Sequence, residues 1–132
     1  NFCVGASFMK ASLEDASAAD GFTSRERFGL DAAWTLPRIT VLAEANVGKN
    51  DADDLTNGMV EVNCTTPDEY GVAYAQLLGT DTEGDDKFWA TLGMQRDLGD
   101  GVVFSAQWST DLDALEGTDR SEAFMFQLRY RF

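Results

Sequence analysis

The sequence has no histidine, only two cysteines and two prolines, and few cations. Without histidine there is no Ser-His or Cys-His catalytic pair and no imidazole metal ligand. Cys3 and Cys64 cannot build a four-thiolate zinc site or a dense disulfide scaffold. Lys plus Arg number 10 against 23 Asp plus Glu, a net charge of -13, so no basic stripe exists to release counterions from nucleic acid. Two prolines and 12 glycines exclude a collagen-like or proline-rich chain. No run approaches the roughly eighteen apolar residues of a transmembrane helix, a test that short alternating strands would escape. The start, Asn1-Phe2-Cys3, has no initiator Met, basic segment or apolar segment, and is expected to belong to a mature or truncated product. With 132 residues, 44% of them apolar, the chain has the size and composition of one folded domain.

What is present is alternation. Phe124, Phe126, Leu128, Tyr130 and Phe132 occupy every second position of the last segment, with Ala123, Met125, Gln127, Arg129 and Arg131 between them. A period of two puts these sets on opposite faces of a strand. The same test predicts eight strands, at 2–13, 25–36, 38–48, 57–65, 69–79, 87–96, 102–112 and 122–132. Long connections rich in acids alternate with short ones built on Pro37, Thr66-Pro67-Asp68 and Asp97-Leu98-Gly99-Asp100-Gly101, all sound turn chemistry.

An up-and-down antiparallel sheet with short turns at one end and long polar loops at the other is the pattern of a transmembrane β-barrel. Hydrocarbon demands that every backbone N–H and C=O be paired, so a spanning sheet must close on itself. The alternation is also compatible with a soluble lipid-carrier barrel whose apolar set points inward. Three features favour the membrane. The faces between the aromatics are rich in Gly, Ala, Ser and Thr rather than Lys and Glu. Trp34, Tyr70, Tyr74, Trp108 and Tyr130 fall in the apolar sets, as interfacial girdles would. Nearly every charge sits in the loops or on the opposite face, and the strand centres lack charge on the apolar face. On this reading Gly29, Ala33, Gly71, Ala73, Ala75 and Gly93 point into the lumen.

The terminal strand, Phe124-Met-Phe-Gln-Leu-Arg-Tyr-Arg-Phe132, resembles the C-terminal strand of bacterial outer-membrane proteins. The resemblance implies that Phe126, Leu128, Tyr130 and Phe132 form the signal read by the barrel-assembly machinery. The stretch from Arg27 to Ala45 is similar to a hairpin in porins of the phosphate-selective type, and Tyr70–Gly79 has the same character. Those porins have roughly sixteen or more strands and usually form trimers, whereas this sequence has room for eight. The chain is therefore expected to be a single small β-barrel domain or the C-terminal half of a larger barrel, with the small inward residues favouring the latter. The Lys and Arg arrays on which phosphate selectivity depends in that family are not evident.

Pore-lining candidates follow from the lumen face: Arg27, Asp31, Glu44, Glu61, Arg129 and Arg131. They would bias ion passage through a transverse field, or else fill the barrel as ion pairs. Three acidic clusters (Asp51, Asp53 and Asp54; Asp81, Glu83, Asp85 and Asp86; Asp111, Asp113, Glu116 and Asp119) read as solvated loops. None has EF-hand spacing, although hard divalent cations, including any that bridge lipopolysaccharide, favour such oxygens. Cys3 and Cys64, on opposite faces of non-adjacent strands, are expected to be unpaired. Asp31 and Glu44 are the nearest inward acids, but no feature marks them as catalytic, and no cofactor or metal is expected. The function expected from sequence and resemblance together is an outer-membrane porin, a passive diffusion channel for small hydrophilic solutes or ions. The alternative is a small non-conducting outer-membrane barrel with a structural or adhesive role. The partners implied are outer-membrane lipid and lipopolysaccharide, the assembly machinery, small solutes and further copies in a trimer.

Overall fold

A computed structural model of the chain describes residues 1–14, 22–50, 53–82, 85–112 and 121–130. They form one eight-stranded antiparallel sheet, with each strand beside its neighbours in sequence. The strands are β1 (Phe2–Glu14), β2 (Phe22–Thr35), β3 (Ile39–Asn50), β4 (Asp53–Thr65), β5 (Gly71–Thr82), β6 (Asp85–Gly99), β7 (Val102–Asp111) and β8 (Glu122–Tyr130). The order is the predicted meander. Closure is not observed: among the described residues β1 pairs only with β2 and β8 only with β7. Both outer edges carry unpaired backbone groups.

Two expected loops turn out to be ladder. The β3–β4 register runs to Asn50 opposite Asp53, and the β5–β6 register to Thr82 opposite Asp85. Period-two hydrophobicity ends near Val47 and Gly79, but backbone pairing continues through polar residues. The acids Asp54, Asp81 and Asp86 thus sit on strands; Asp51, Glu83, Asp113, Glu116 and Asp119 lie outside the described residues.

Register assigns the faces. One cross-strand rung, Phe2–Trp34–Val41–Val62–Ala75–Leu92–Trp108–Phe124, is apolar from the first strand to the last. Towards the β3–β4 hairpin this face ends in a rung of alternating charge, Lys10–Glu26–Lys49–Asp54. Lys10 is paired with Glu26, and Lys49 with Asp54 at 3.1 Å. At the opposite border Arg96 holds Asp68 at 2.6 Å. The apolar face is the exposed one: Phe126 is 71% exposed and Leu128 69%. The other face is sheltered, with Leu55, Asn57, Met59, Glu61 and Asn63 of β4 all half-buried. The shelter is uneven: Asp31, Glu44 and Gln95 of this face are exposed, as is every residue of β8. No hydrophobic side chain among the described residues is buried.

β5 departs from the expectation. Its pairing with β4 and β6 puts Val72, Tyr74 and Gln76 on the polar face, and Gly71, Ala73 and Ala75 on the apolar one. Tyr74 is therefore no girdle residue and those three small residues do not point inward. Both sets of β5 are apolar enough that the local pattern is ambiguous, and the neighbouring strands decide it. Tyr70 lies in the turn before β5, not on a strand.

The short turns have identifiable chemistry. Asp100 and Gly101 carry φ of 50° and 76°, the pair of positive values that a tight hairpin between right-twisted strands needs. In the β4–β5 turn the Thr66 hydroxyl bonds Asp68, the Tyr70 N–H donates to Asp68 at 3.3 Å, and the Glu69 N–H donates to the Thr66 carbonyl at 2.9 Å. The Thr66 hydroxyl, then the Tyr70 N–H and Arg96, hold the Asp68 carboxyl below its ordinary range, while desolvation pulls the other way. A lowered value means that the ionised carboxylate supports the turn at every pH above the ordinary Asp range, and that this support is lost as pH falls through the lowered value. The protection of the Tyr70 amide, its exchange rate measured against the intrinsic rate at each pH, should therefore fall on acidification below the ordinary Asp range. In Asp68→Asn that acid-dependent step should be absent.

Candidate functional site

The polar face is the chemically differentiated one, and its side chains fall into two walls. On β2–β4 lie the acids. Asp31 and Glu44 are direct cross-strand partners, and Glu61 follows on the next strand. The Asp31 carboxylate lies over Gly5, which has no side chain to obstruct it. Glu44 accepts from Asn46 Nδ2 at 2.6 Å. Glu61 accepts from Asn63 Nδ2 at 2.7 Å and Gln76 Nε2 at 3.0 Å. Neutral amides thus hold Glu44 and Glu61 in place without cancelling their charge.

The described bonds of the candidate cations Arg27 and Arg129 go elsewhere. Arg27 lays its stem over Gly48 and donates to the carbonyls of Lys49 at 2.8 Å and Glu26 at 2.9 Å, not to Asp31. Arg129 sits on edge strand β8 and donates to Gln127 at 3.1 Å. Arg131 and Phe132 lie outside the described residues, while Phe126, Leu128 and Tyr130 occupy the exposed apolar face of β8. The structure therefore puts Asp31 directly opposite Glu44, with Glu61 on the same face of the next strand, two residues along from the Glu44 rung, and the described bonds of Arg27 and Arg129 go to other groups.

The middle of the second wall, across β5–β7, is built of neutral hydrogen-bonding groups, with Lys87, Asp97 and Asp111 of the same face nearer its ends. The Tyr74 ring crosses Gly93 on the adjacent strand and its hydroxyl donates to Gln107 on the strand beyond, at 3.0 Å. Gln107 Nε2 donates to the Ser109 hydroxyl at 3.3 Å, and the Ser109 and Thr91 hydroxyls share a bond of 3.0 Å. Thr91, 8% exposed, is among the few residues this sheet buries. This wall is not evident from the sequence, because Tyr74 looks like a lipid-facing aromatic until its register is known. The spacing of Gln76, Thr91, Gln107 and Ser109 on successive predicted strands is the signal that points to it.

Among the described residues no three His, Cys, Asp or Glu side chains gather to hold a metal ion. Cys3 and Cys64 are free, the first on the polar face and the second on the apolar one. No protein-family model matches the chain, and no curated protein or solved structure is similar to it.

A Cβ at position 93 would overlap the Tyr74 ring. Gly93→Val should therefore expel the ring, break its bond to Gln107 and cost about 1–3 kcal/mol, the usual penalty for overpacking. Denaturant titration of the folded chain measures this, and Gly93→Val combined with Tyr74→Ala should recover part of the loss.

Proposed function

We propose that this chain is part of the wall of an outer-membrane β-barrel that passes small hydrophilic solutes by diffusion, its apolar face in lipid and its polar face along an aqueous path. The observation that carries the reading is the inverted order of the faces. An eight-strand apolar rung, exposed or half-buried, lies on one side and is bordered by charge at both ends, while the other side carries the half-buried Glu61, Asn63 and Gln76 and the exposed Asp31 and Glu44. In water such a sheet lacks a driving force. A ladder hydrogen bond nets about 0.5–1.5 kcal/mol there, while ordering the backbone costs about 1–2 kcal/mol per residue, and no buried hydrophobic core among the described residues offsets it. In hydrocarbon the same bond is worth about 4–6 kcal/mol, and the apolar face needs no other cover.

The free edges of β1 and β8 would then be paired by further strands of a larger barrel, which agrees with the resemblance to the C-terminal portion of porins. On this reading Phe126, Leu128 and Tyr130, with Phe132, face lipid and serve as the assembly signal. Asp31, Glu44 and Glu61 give the path a preference for cations, with Arg27, Arg129 and Arg131 more distant contributors. Pairing of β1 with β8 would instead give a small non-conducting barrel, a reading favoured by the bulk of Tyr74, Leu78 and Trp89 on the sheltered face.

Refolding into lipid vesicles and planar-bilayer recording test the proposal. Val60→Arg, at the middle of the apolar band, should cost about 2–4 kcal/mol of folding stability in the bilayer, and Asn57→Arg on the other face should cost far less. Equal penalties on the two faces would remove the membrane assignment. The combined Asp31→Asn, Glu44→Gln and Glu61→Gln variant should conduct with its cation-to-anion permeability ratio moved towards unity. A correctly inserted chain with near-zero conductance would identify the closed, filled barrel.

A further inference from the structure

We propose that the sheltered face carries a solute subsite for a small neutral polyhydroxylated ring, such as a pyranose, in the depression formed by Glu61, Asn63, Val72, Tyr74 and Gln95. This rests on the reading of that face as a solute path and adds what the path would recognise.

The depression has a volume of about 290 Å³ and is lined entirely from the polar face of β4, β5 and β6. That is at the small end of ligand sites, the size for one compact solute. Its lining combines three complementary kinds of surface. Glu61 is an acceptor held by two amide donors, Asn63 Nδ2 at 2.7 Å and Gln76 Nε2 at 3.0 Å, and a carboxylate has about four lone-pair sites. Two of those sites are therefore left for hydroxyl donors. Gln95 is exposed at the rim and offers both a donor and an acceptor. Tyr74, anchored over Gly93 by its bond to Gln107, and Val72 beside it supply an aromatic and an aliphatic wall for the C–H face of a ring.

Glu61 is the only charged member of this lining, and its orientation is fixed by neutral amides, not by a cation. A phosphate or carboxylate would meet that carboxylate with no Arg or Lys to offset it. A bare ammonium would use Glu61 and the Tyr74 face, but would leave the N–H donors of Gln95 without an acceptor. Hydroxyl groups in a ring use all of them: they donate to Glu61, exchange bonds with Gln95, and leave an apolar face for Tyr74.

Saturation-transfer NMR on the refolded full chain in detergent micelles, with glucose as the probe, tests the subsite without requiring ion conduction. The expected result is transfer to the glucose ring protons that saturates with concentration. Gln95→Leu should weaken it roughly three- to tenfold, the loss of one hydrogen bond. Tyr74→Leu should reduce it further, and heat-dependent gel mobility checks that each variant is folded. Absence of transfer to the folded wild-type chain overturns the subsite, as does transfer that both folded variants retain unchanged. Suppression by equimolar choline or inorganic phosphate also overturns it, in favour of an ammonium or anion site. Glucose binding by a chain that never conducts leaves the subsite standing and removes the channel. Conduction without glucose binding does the reverse.

Discussion

The structure depends on one constraint: backbone groups that pair across a sheet need surroundings in which the pairing is worth more than the entropy of ordering it. Here the usual source of that surplus is missing, since no hydrophobic side chain among the described residues is buried. Among the described residues the tertiary structure is chiefly the ladder itself, seven strand pairs with one register shift between Asp97 and Gly99. Its hydrogen bonds gain strength as water is removed from around them, and the face that would remove it is the apolar one turned outward. Edge strands follow the same logic. β1 and β8 are the outer strands among the described residues, and an open sheet edge is one that hydrocarbon would not tolerate and that further strands would satisfy.

Charge obeys the same geometry. On the apolar face it is confined to the borders, where Lys10, Glu26, Lys49 and Asp54 alternate in sign along one rung and Arg96 is tied to a turn acid. On the sheltered face it is uneven, with Asp31, Glu44 and Glu61 on β2–β4, and neutral amides and hydroxyls along the middle of β5–β7 between Lys87 and Asp111 at one end and Asp97 at the other. Glycine makes part of this possible. Gly93 lets the Tyr74 ring cross one strand to bond the next, and Gly79 receives Phe88 in the same way on the opposite face. Each pairing braces neighbouring strands without a hydrophobic core.

Much of the sheet was legible because alternation survives wherever one face is apolar. The eight strands, the short turns and the polar–apolar division of β1–β4 and β6–β8 follow from period two alone. Strand ends were not legible at Lys49–Asp54 or Thr80–Asp86, where polar residues continue the ladder after the apolar band has ended. A backbone pairs through any side chain, so a hydrophobicity pattern ends before the strand does. Tyr74 was placed on the wrong face because Val72, Ala73, Ala75, Leu77 and Leu78 leave both faces of β5 apolar, and only its partners Asn63 and Gly93 break the tie.

Local chemistry thus sets the order of strands and which side chains travel together, because adjacent residues on an extended chain must point in opposite directions. It also places Asp31 opposite Glu44 once a hairpin joins their strands. Long-range pairing settles the rest: which way β5 turns, that Arg27 reaches carbonyls instead of Asp31, and that Glu61, Asn63, Tyr74 and Gln95 surround one depression. Those relations join residues on different strands, and cross-strand register is a property of the whole sheet that no single strand's pattern contains.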